Sequence, residues 1–513
     1  MMTPPPAKVL VLGVDAANPG LFRRWAEEGV LPNTRDLLAR GTVGPTTSVE
    51  GFFVGATWPS FYTGVTPARH GCHYLTQLRS GTYDFYNVAD HGVSRHEPFW
   101  NHLSRAGKRV AVLDVPLTQL DSTINGIQVV EWGAHDAVYG FRTSPASLKA
   151  NIEAEFGLHP FAPSCDGARR TAGDYERLTA TLADGARLKG LLTRRLLRDA
   201  GWDFFMQVFT EGHCAGHQCW HLHDPAHPAH DRQVAAQVGD PLRRVYTSID
   251  CAIGDIVRDA GGAVVLLVIA HGMSEWYGAN FLLPVILHRL GVTRSTVPPP
   301  PTGSPANERA RRMWRRLPAG LRNVVSQTRS RLTAPLPRLP FDPKHSLCFP
   351  HSNGQAVSGI RLNQTGREPE GTLRPEEAAA FCDRLTRDLL DIVDDRGRPL
   401  VRRVLLTRDV YSGEFIDDLP DLLVEWSDTA STSVGAQRLR VTSPGIGLVD
   451  GLNEYTRTGD HRQDGMFIAA GPRIGRREMT RTVSILDFAP TLTSLLNVPW
   501  QDGDGQAIVE LLN

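Results

Sequence analysis

The chain has 513 residues, 41% of them hydrophobic, which is enough for a large core: one catalytic domain with insertions, or a domain plus a cap. Formal net charge is zero, so nothing global points to a nucleic acid polymer or a membrane surface. Seven cysteines without a CxxC pair exclude a disulfide scaffold and suit reduced thiols in a cytoplasmic protein.

The chain opens MMTPPPAKVLVLGVD, with no basic n-region or long apolar h-region, so no signal peptide is expected. The longest apolar run, Ala263 to Ile269, is far short of a membrane span. Strands are expected at Val9–Val14, Val110–Leu113, Phe204–Phe209, Val264–Ile269, Val404–Leu406, Leu422–Val424 and Met466–Ala469. Several are continuously apolar, as strands buried on both faces require. Helical patterns lie between them at about Leu21–Arg40, Gly173–Ala200, Pro241–Ala260, Pro375–Asp394 and Ile485–Leu496. The alternation predicts an α/β fold, a mostly parallel central sheet with helices on both faces. Residues 292–342 break the rhythm with Pro298–Pro301 and nine arginines between Arg309 and Arg338. They are expected to form an inserted cap or lid between a first catalytic part, 1–291, and a second, 343–513. A basic rim there would attract an anionic substrate or an acidic partner.

Asp15 ends the first strand, where a carboxylate serves either as a metal ligand or as a helix N-cap. Thr57 precedes a probable helix with Pro59 in its first turn, in the stretch ATWPSFYTGVTPARHG. It is either an N-cap or, beside a metal, an alkoxide nucleophile. Six of the chain's 18 histidines fall between His213 and His230. His213 and His217, four apart and just beyond the Phe204–Phe209 strand, are the ones expected to carry chemistry. The outer members, after Asp224-Pro225, read as a solvated loop. His271 follows the Val264–Ile269 strand, and His461 precedes the one at Met466–Ala469. Six ligand-type residues thus gather at strand ends, where open α/β sheets place their sites.

In the shared order of these motifs the sequence resembles the alkaline phosphatase superfamily, and more narrowly its type I phosphodiesterase/nucleotide pyrophosphatase branch. The stretches that carry the resemblance are Asp15, the Thr-x-Pro segment with TGVTPARHG, His271-Gly-Met, GDHRQDGMFIAAGP, GIRLNQTGREPEG and ILDFAPTLTSLLNVP. The resemblance implies a metal-dependent hydrolase of phosphoric esters, in which Thr57 attacks phosphorus and a phospho-enzyme is then hydrolysed. It assigns His213, His217 and His461 to one metal, and Asp15, Thr57 and His271 to another. Two departures stand out. Ala270 occupies the place of a usual aspartate, and His213 replaces the aspartate of an Asp-x-x-x-His pair. A three-histidine set suits zinc, with one or two ions, the second site holding another divalent metal or none.

Trp58, Phe61, Asn353 and Arg462 are expected to touch a small, phosphorylated, nucleotide-like substrate. A sulfatase is disfavoured, because Thr57-Trp58-Pro59-Ser60-Phe61 lacks both the modifiable Cys or Ser and the arginine of that group. A phosphomonoesterase, and a degenerate member that binds without cleaving, stay open.

Overall fold

A computed structural model describes residues 8–90, 92–135, 137–161, 171–199, 201–276, 278–294, 341–428, 438–453 and 456–512. Most of the expected cap, 292–342, lies outside the described residues.

Among the described residues a ten-stranded sheet forms the centre. Val9–Val14 runs parallel to Phe204–Phe209 on one side and to Val264–Ile269 on the other. Val110–Leu113 and Gly126–Val130 extend the parallel part outward. Asp464–Ala470 enters antiparallel between Val264–Ile269 and Thr42–Thr47. Every residue of the Val9–Val14, Phe204–Phe209 and Val264–Ile269 strands is buried, which explains their unbroken apolar sequence. Apolar side chains on the two faces of this sheet belong to two separate core clusters: Leu10, Leu12 and Val14 to one, Val9 and Val11 to the other.

The expected helices are present, one of them divided. Leu21–Arg40 is not one helix but two, Pro19–Glu27 and Pro32–Arg40. Gly29 at φ +79° and Pro32 break it, since the first leaves helical backbone and the second removes a donor. The buried Asp250 carboxylate then takes the amides of Asn33 and Thr34 and so caps the second helix from another element. The long helices Ala172–Asp199 and Pro241–Asp259 pack against each other over one sheet face.

The Val401–Leu406 and Leu422–Trp426 strands do not join the central sheet. With Cys348–His351 and Val357–Leu362 they make an antiparallel four-stranded sheet over its own apolar cluster, which includes Ile360, Leu385, Leu389 and Val424.

Candidate active site

Because the parallel strands share one direction, their carboxyl ends meet at one edge, and the chain places polar residues there in succession. Asp15 follows Val14, Thr210 and Glu211 follow Phe209, and Ala270 and His271 follow Ile269. Ala16 adopts φ +44°, a left-handed turn that bends the backbone sharply behind Asp15. Asn18 then caps the next helix through Leu21 N and donates its amide to Met273 O, tying this turn to the segment after His271.

The expected nucleophile segment is a short helix, Thr57–Thr63, every residue of which is buried. Thr57 donates its hydroxyl proton to Phe53 O at 2.7 Å, and Ser48 Oγ lies 2.5 Å from Thr57 Oγ1. With the Thr57 proton committed to Phe53, Ser48 is the donor of the pair. The next side chain connects this helix to the first strand: Trp58 Nε1 donates to Asp15 Oδ1 at 2.7 Å. Its ring lies over Gly13, where a Cβ would come within 2.8 Å of the indole. Behind the helix, Ser60 Oγ meets His70 Nε2 at 2.8 Å.

His213 and His217 lie on a helix, Glu211–His223, rather than in a loop. Their spacing of four puts them on one face. Two glycines let a facing ribbon close onto this helix. A Cβ on Gly459 would stand 2.4 Å from Gly216 O, and one on Gly216 would stand 2.6 Å from Met273 Cγ. The ribbon pairs Gly459–Arg462 with Gly272–Glu275, and His461 sits opposite Met273. His461 is thereby brought against both helix histidines, with ring centroids 4.7 Å from His213 and 5.0 Å from His217. His271 stacks on His461 at 4.9 Å and 7°.

The hydrogen bonds orient these rings. His213 Nδ1 lies 2.7 Å from Asp15 Oδ2, and its Nε2 lies 2.7 Å from His217 Nε2. His217 Nδ1 donates to Gly459 O at 2.7 Å, which leaves its Nε2 as the acceptor, and Arg457 Nη1 reaches that atom at 3.0 Å. Burial would raise the Asp15 carboxyl, but His213, His271 and Trp58 outweigh it and hold it well below the usual carboxylate range. Burial pushes His217 and His461 well below the ordinary imidazole value and His271 to about 4. Neutral imidazoles are the form a metal requires. His213, His217 and His461 can present ligand atoms all within 4.8 Å of one another. Nitrogens on one tetrahedral zinc stand roughly 3.3 Å apart at bonds of about 2.0–2.1 Å. The 2.7 Å His213–His217 contact is therefore a hydrogen bond that an ion would replace with a small opening. The donor set fits a three-histidine zinc site.

A buried charge cluster supports the start of the histidine helix. Lys189 Nζ reaches Glu211 Oε1 at 3.3 Å and Asp114 Oδ2 at 3.7 Å, and donates to Val208 O and Thr210 Oγ1. His159 Nε2 meets Glu211 Oε1 at 3.2 Å. Burial opposes the Glu211 charge, but Lys189 and His159 keep its pKa below the usual value. Asp114 accepts from Trp132 N and Gly133 N, and Thr210 donates to Gly133 O. That pins the following loop and sets His135 against His213, with ring centroids 4.2 Å apart.

Asp15, His213, His217, His271 and His461 therefore come together as expected, with the Thr57 helix linked to them by one side chain. The four residues expected to contact substrate all have partners within the protein. Phe61 is in the core, stacked on Phe488 at 5.2 Å. Trp58 serves Asp15. Asn353 donates to Gly51 O and Val357 O and so holds the loop that leads to Thr57. Arg462 is bonded to Glu275 O and Asp428. The outer histidines, after Asp224-Pro225, are not simply solvated: His227 is buried, and His230 Nδ1 meets His221 O at 2.7 Å. Sequence reasoning missed Ser48, His135 and Arg457. None carries a motif; a buried polar residue just past a strand end was the only signal, and it applies to Ser48 alone. Of the other carboxylates near this edge, Glu211 belongs to the Lys189 cluster and Asp464 is exposed. Asp460 is buried beside His461: its Oδ1 accepts from His461 N and lies 3.9 Å from His461 Nε2, and its Oδ2 has no hydrogen-bond partner.

Fold and edge cluster together define an alkaline-phosphatase-like α/β hydrolase. The profile of the type I phosphodiesterase / nucleotide pyrophosphatase family matches residues 9–319, more than half of the chain, and the protein belongs to that family. It is accordingly a hydrolase of phosphoric esters, in a family that depends on metal. Among solved structures it is similar to phosphonoacetate hydrolase from Sinorhizobium meliloti 1021 in complex with phosphonoacetate, at a TM-score of 0.53 and 15% identity, covering 96% of each chain. The same enzyme with phosphonoformate gives a TM-score of 0.52. Murine ectonucleotide pyrophosphatase / phosphodiesterase 5 follows at 0.46 and 10% identity, covering 97% of each chain. At such identities the likeness to the hydrolase is one of fold. No curated protein matches the sequence.

Proposed function

We propose that the protein hydrolyses a phosphodiester or pyrophosphate bond of a small, nucleotide-like substrate, with Thr57 as nucleophile beside an ion held by His213, His217 and His461. The observation that carries this reading is the continuous link from the Thr57 helix through Trp58 and Asp15 to His213. It fixes the hydroxyl-bearing element relative to the histidines through two hydrogen bonds of 2.7 Å.

Zinc, when bound, would act as a Lewis acid toward a phosphoryl oxygen. The chain supplies the rest. Thr57 Oγ1 forms a bond to phosphorus as the bond from phosphorus to the leaving oxygen breaks, and the Thr57 proton passes to solvent. Water then attacks phosphorus, the Thr57–phosphorus bond breaks, and the hydroxyl is restored. Ser48 donates to Thr57 Oγ1 and so favours its ionised form in the attack. Phe53 O and the Asn353-held loop keep the hydroxyl in place.

Arg457 favours a second reading, a phosphomonoesterase, because a guanidinium at the site complements the extra charge of a monoester. Among the described residues no helix is long and apolar enough to cross a membrane.

The test is a panel of aryl phosphodiesters, nucleotide pyrophosphates and aryl phosphomonoesters assayed with the zinc-loaded protein and with Thr57→Ala. Turnover of diesters or pyrophosphates that falls on the order of 10⁴-fold in Thr57→Ala, with metal retained, is expected. Turnover of monoesters alone would replace the first reading by the second. An unchanged rate in Thr57→Ala would remove Thr57 as nucleophile.

A further inference from the structure

Asp15 is met by protein donors at both oxygens. Oδ2 faces His213 Nδ1 at 2.7 Å, and Oδ1 accepts from Trp58 Nε1 at 2.7 Å. His271 Nε2 stands off at 3.8 Å. The remaining groups at this end are poor ligands. Ala270 offers a buried methyl. Thr57 Oγ1 is engaged by Phe53 O and Ser48. His271, both of whose ring nitrogens lack a hydrogen-bond partner, is uncommitted, as is Asp460 Oδ2 beside His461, but among the described residues only His213, His217 and His461 bring three ligand atoms together.

The geometry points to a mononuclear centre, in which His213, His217 and His461 hold one ion and Asp15 is a positioning residue that orients His213 rather than a ligand. The inference rests on reading these histidines as the metal site. The orienting logic is that of a carboxylate behind a metal-bound imidazole. Asp15 accepts the Nδ1 proton of His213, which turns Nε2 toward His217 Nε2 at 2.7 Å. Gly459 O does the same for His217 by accepting its Nδ1 proton. Both Nε2 atoms then face one point, and any proton between them is released to solvent when an ion binds.

The experiment counts metal without substrate. The full chain is loaded with zinc, desalted and analysed for metal per chain, and the metal-free chain is titrated with cobalt(II) by visible absorption. One equivalent per chain and a single endpoint are expected. Asp15→Asn keeps an acceptor for Trp58 but presents an amide N–H to His213 Nδ1, which reverses the tautomer. It should still bind one equivalent, with affinity lowered roughly 10–100-fold. His271→Ala should leave stoichiometry and affinity unchanged, and covers the case in which Asp15→Asn does not fold. Two equivalents in the unaltered chain, loss of one of them in either variant, or unchanged affinity in Asp15→Asn would each overturn the proposal. No bound metal at all would overturn the reading of the site itself. An inactive but one-metal protein would overturn only the catalytic reading and would support this one.

Discussion

Lys189 is fully buried on the helix Ala172–Asp199, which packs against the helix that carries His213 and His217. Its ammonium is the shared partner of Glu211 at 3.3 Å and Asp114 at 3.7 Å, and it donates to Val208 O and Thr210 Oγ1 at 3.3 and 3.2 Å. Lys189→Met keeps the stem and opens no large cavity, but it leaves two carboxylates in a dry interior. Removing one partner of a buried pair costs about 3–5 kcal/mol, while the Val208 carbonyl keeps Gln207 Nε2 as a donor at 2.8 Å. We therefore expect a loss of about 3–5 kcal/mol in urea unfolding followed by tryptophan fluorescence. The double variant Lys189→Met/Glu211→Gln removes one stranded charge and should recover part of that loss, by roughly 1–3 kcal/mol of coupling. Because Glu211 opens the helix that carries His213 and His217, zinc affinity should weaken in the single variant as well. A single-variant loss under about 1 kcal/mol, or a double variant no better than the single, would refute the electrostatic account.

Acidification should destabilise the protein through its buried neutral histidines. Burial, helped by His96 and His73, holds His70 at about 3. A histidine depressed in the fold stabilises above its unfolded value near 6.5, and that contribution is lost as pH falls toward the folded value. At pH 5 the His70 share is ~2 kcal/mol, about 1.5 units at 1.36 kcal/mol each. His70→Asn should reduce the stability difference between pH 7 and pH 5 by that amount; an unchanged difference in urea melts would rule the assignment out. Ser48→Ala, which removes the donor to Thr57 Oγ1, should lower kcat roughly 10–100-fold with KM unchanged, since Phe53 O still holds the hydroxyl. A raised KM at constant kcat in steady-state kinetics would instead show a role in binding.

The strands were legible because their signal is local. Seven short apolar runs are seven strands, and their order carried the family resemblance. Asp15, His213, His217, His271 and His461 were legible for the same reason, each lying at or near the end of such a run. The Glu211–His223 helix was not, because all but its last residue are buried and a helix buried all round shows no apolar stripe. The partners of the Val401–Leu406 and Leu422–Trp426 strands were equally hidden, since an apolar run states that a strand is buried but not which sheet buries it.

What only the tertiary structure decided is how the polar groups are used. Asp15 reads from the sequence as a ligand; folding turns it into the acceptor for Trp58, 43 residues away, and for His213, 198 residues away. His135 has no motif and reaches the site because Asp114 and Thr210 hold the loop before it. Residue type and periodicity set which groups end at the sheet's edge. Whether an oxygen there remains open for a metal depends on donors brought in from distant parts of the chain, and no local pattern records those.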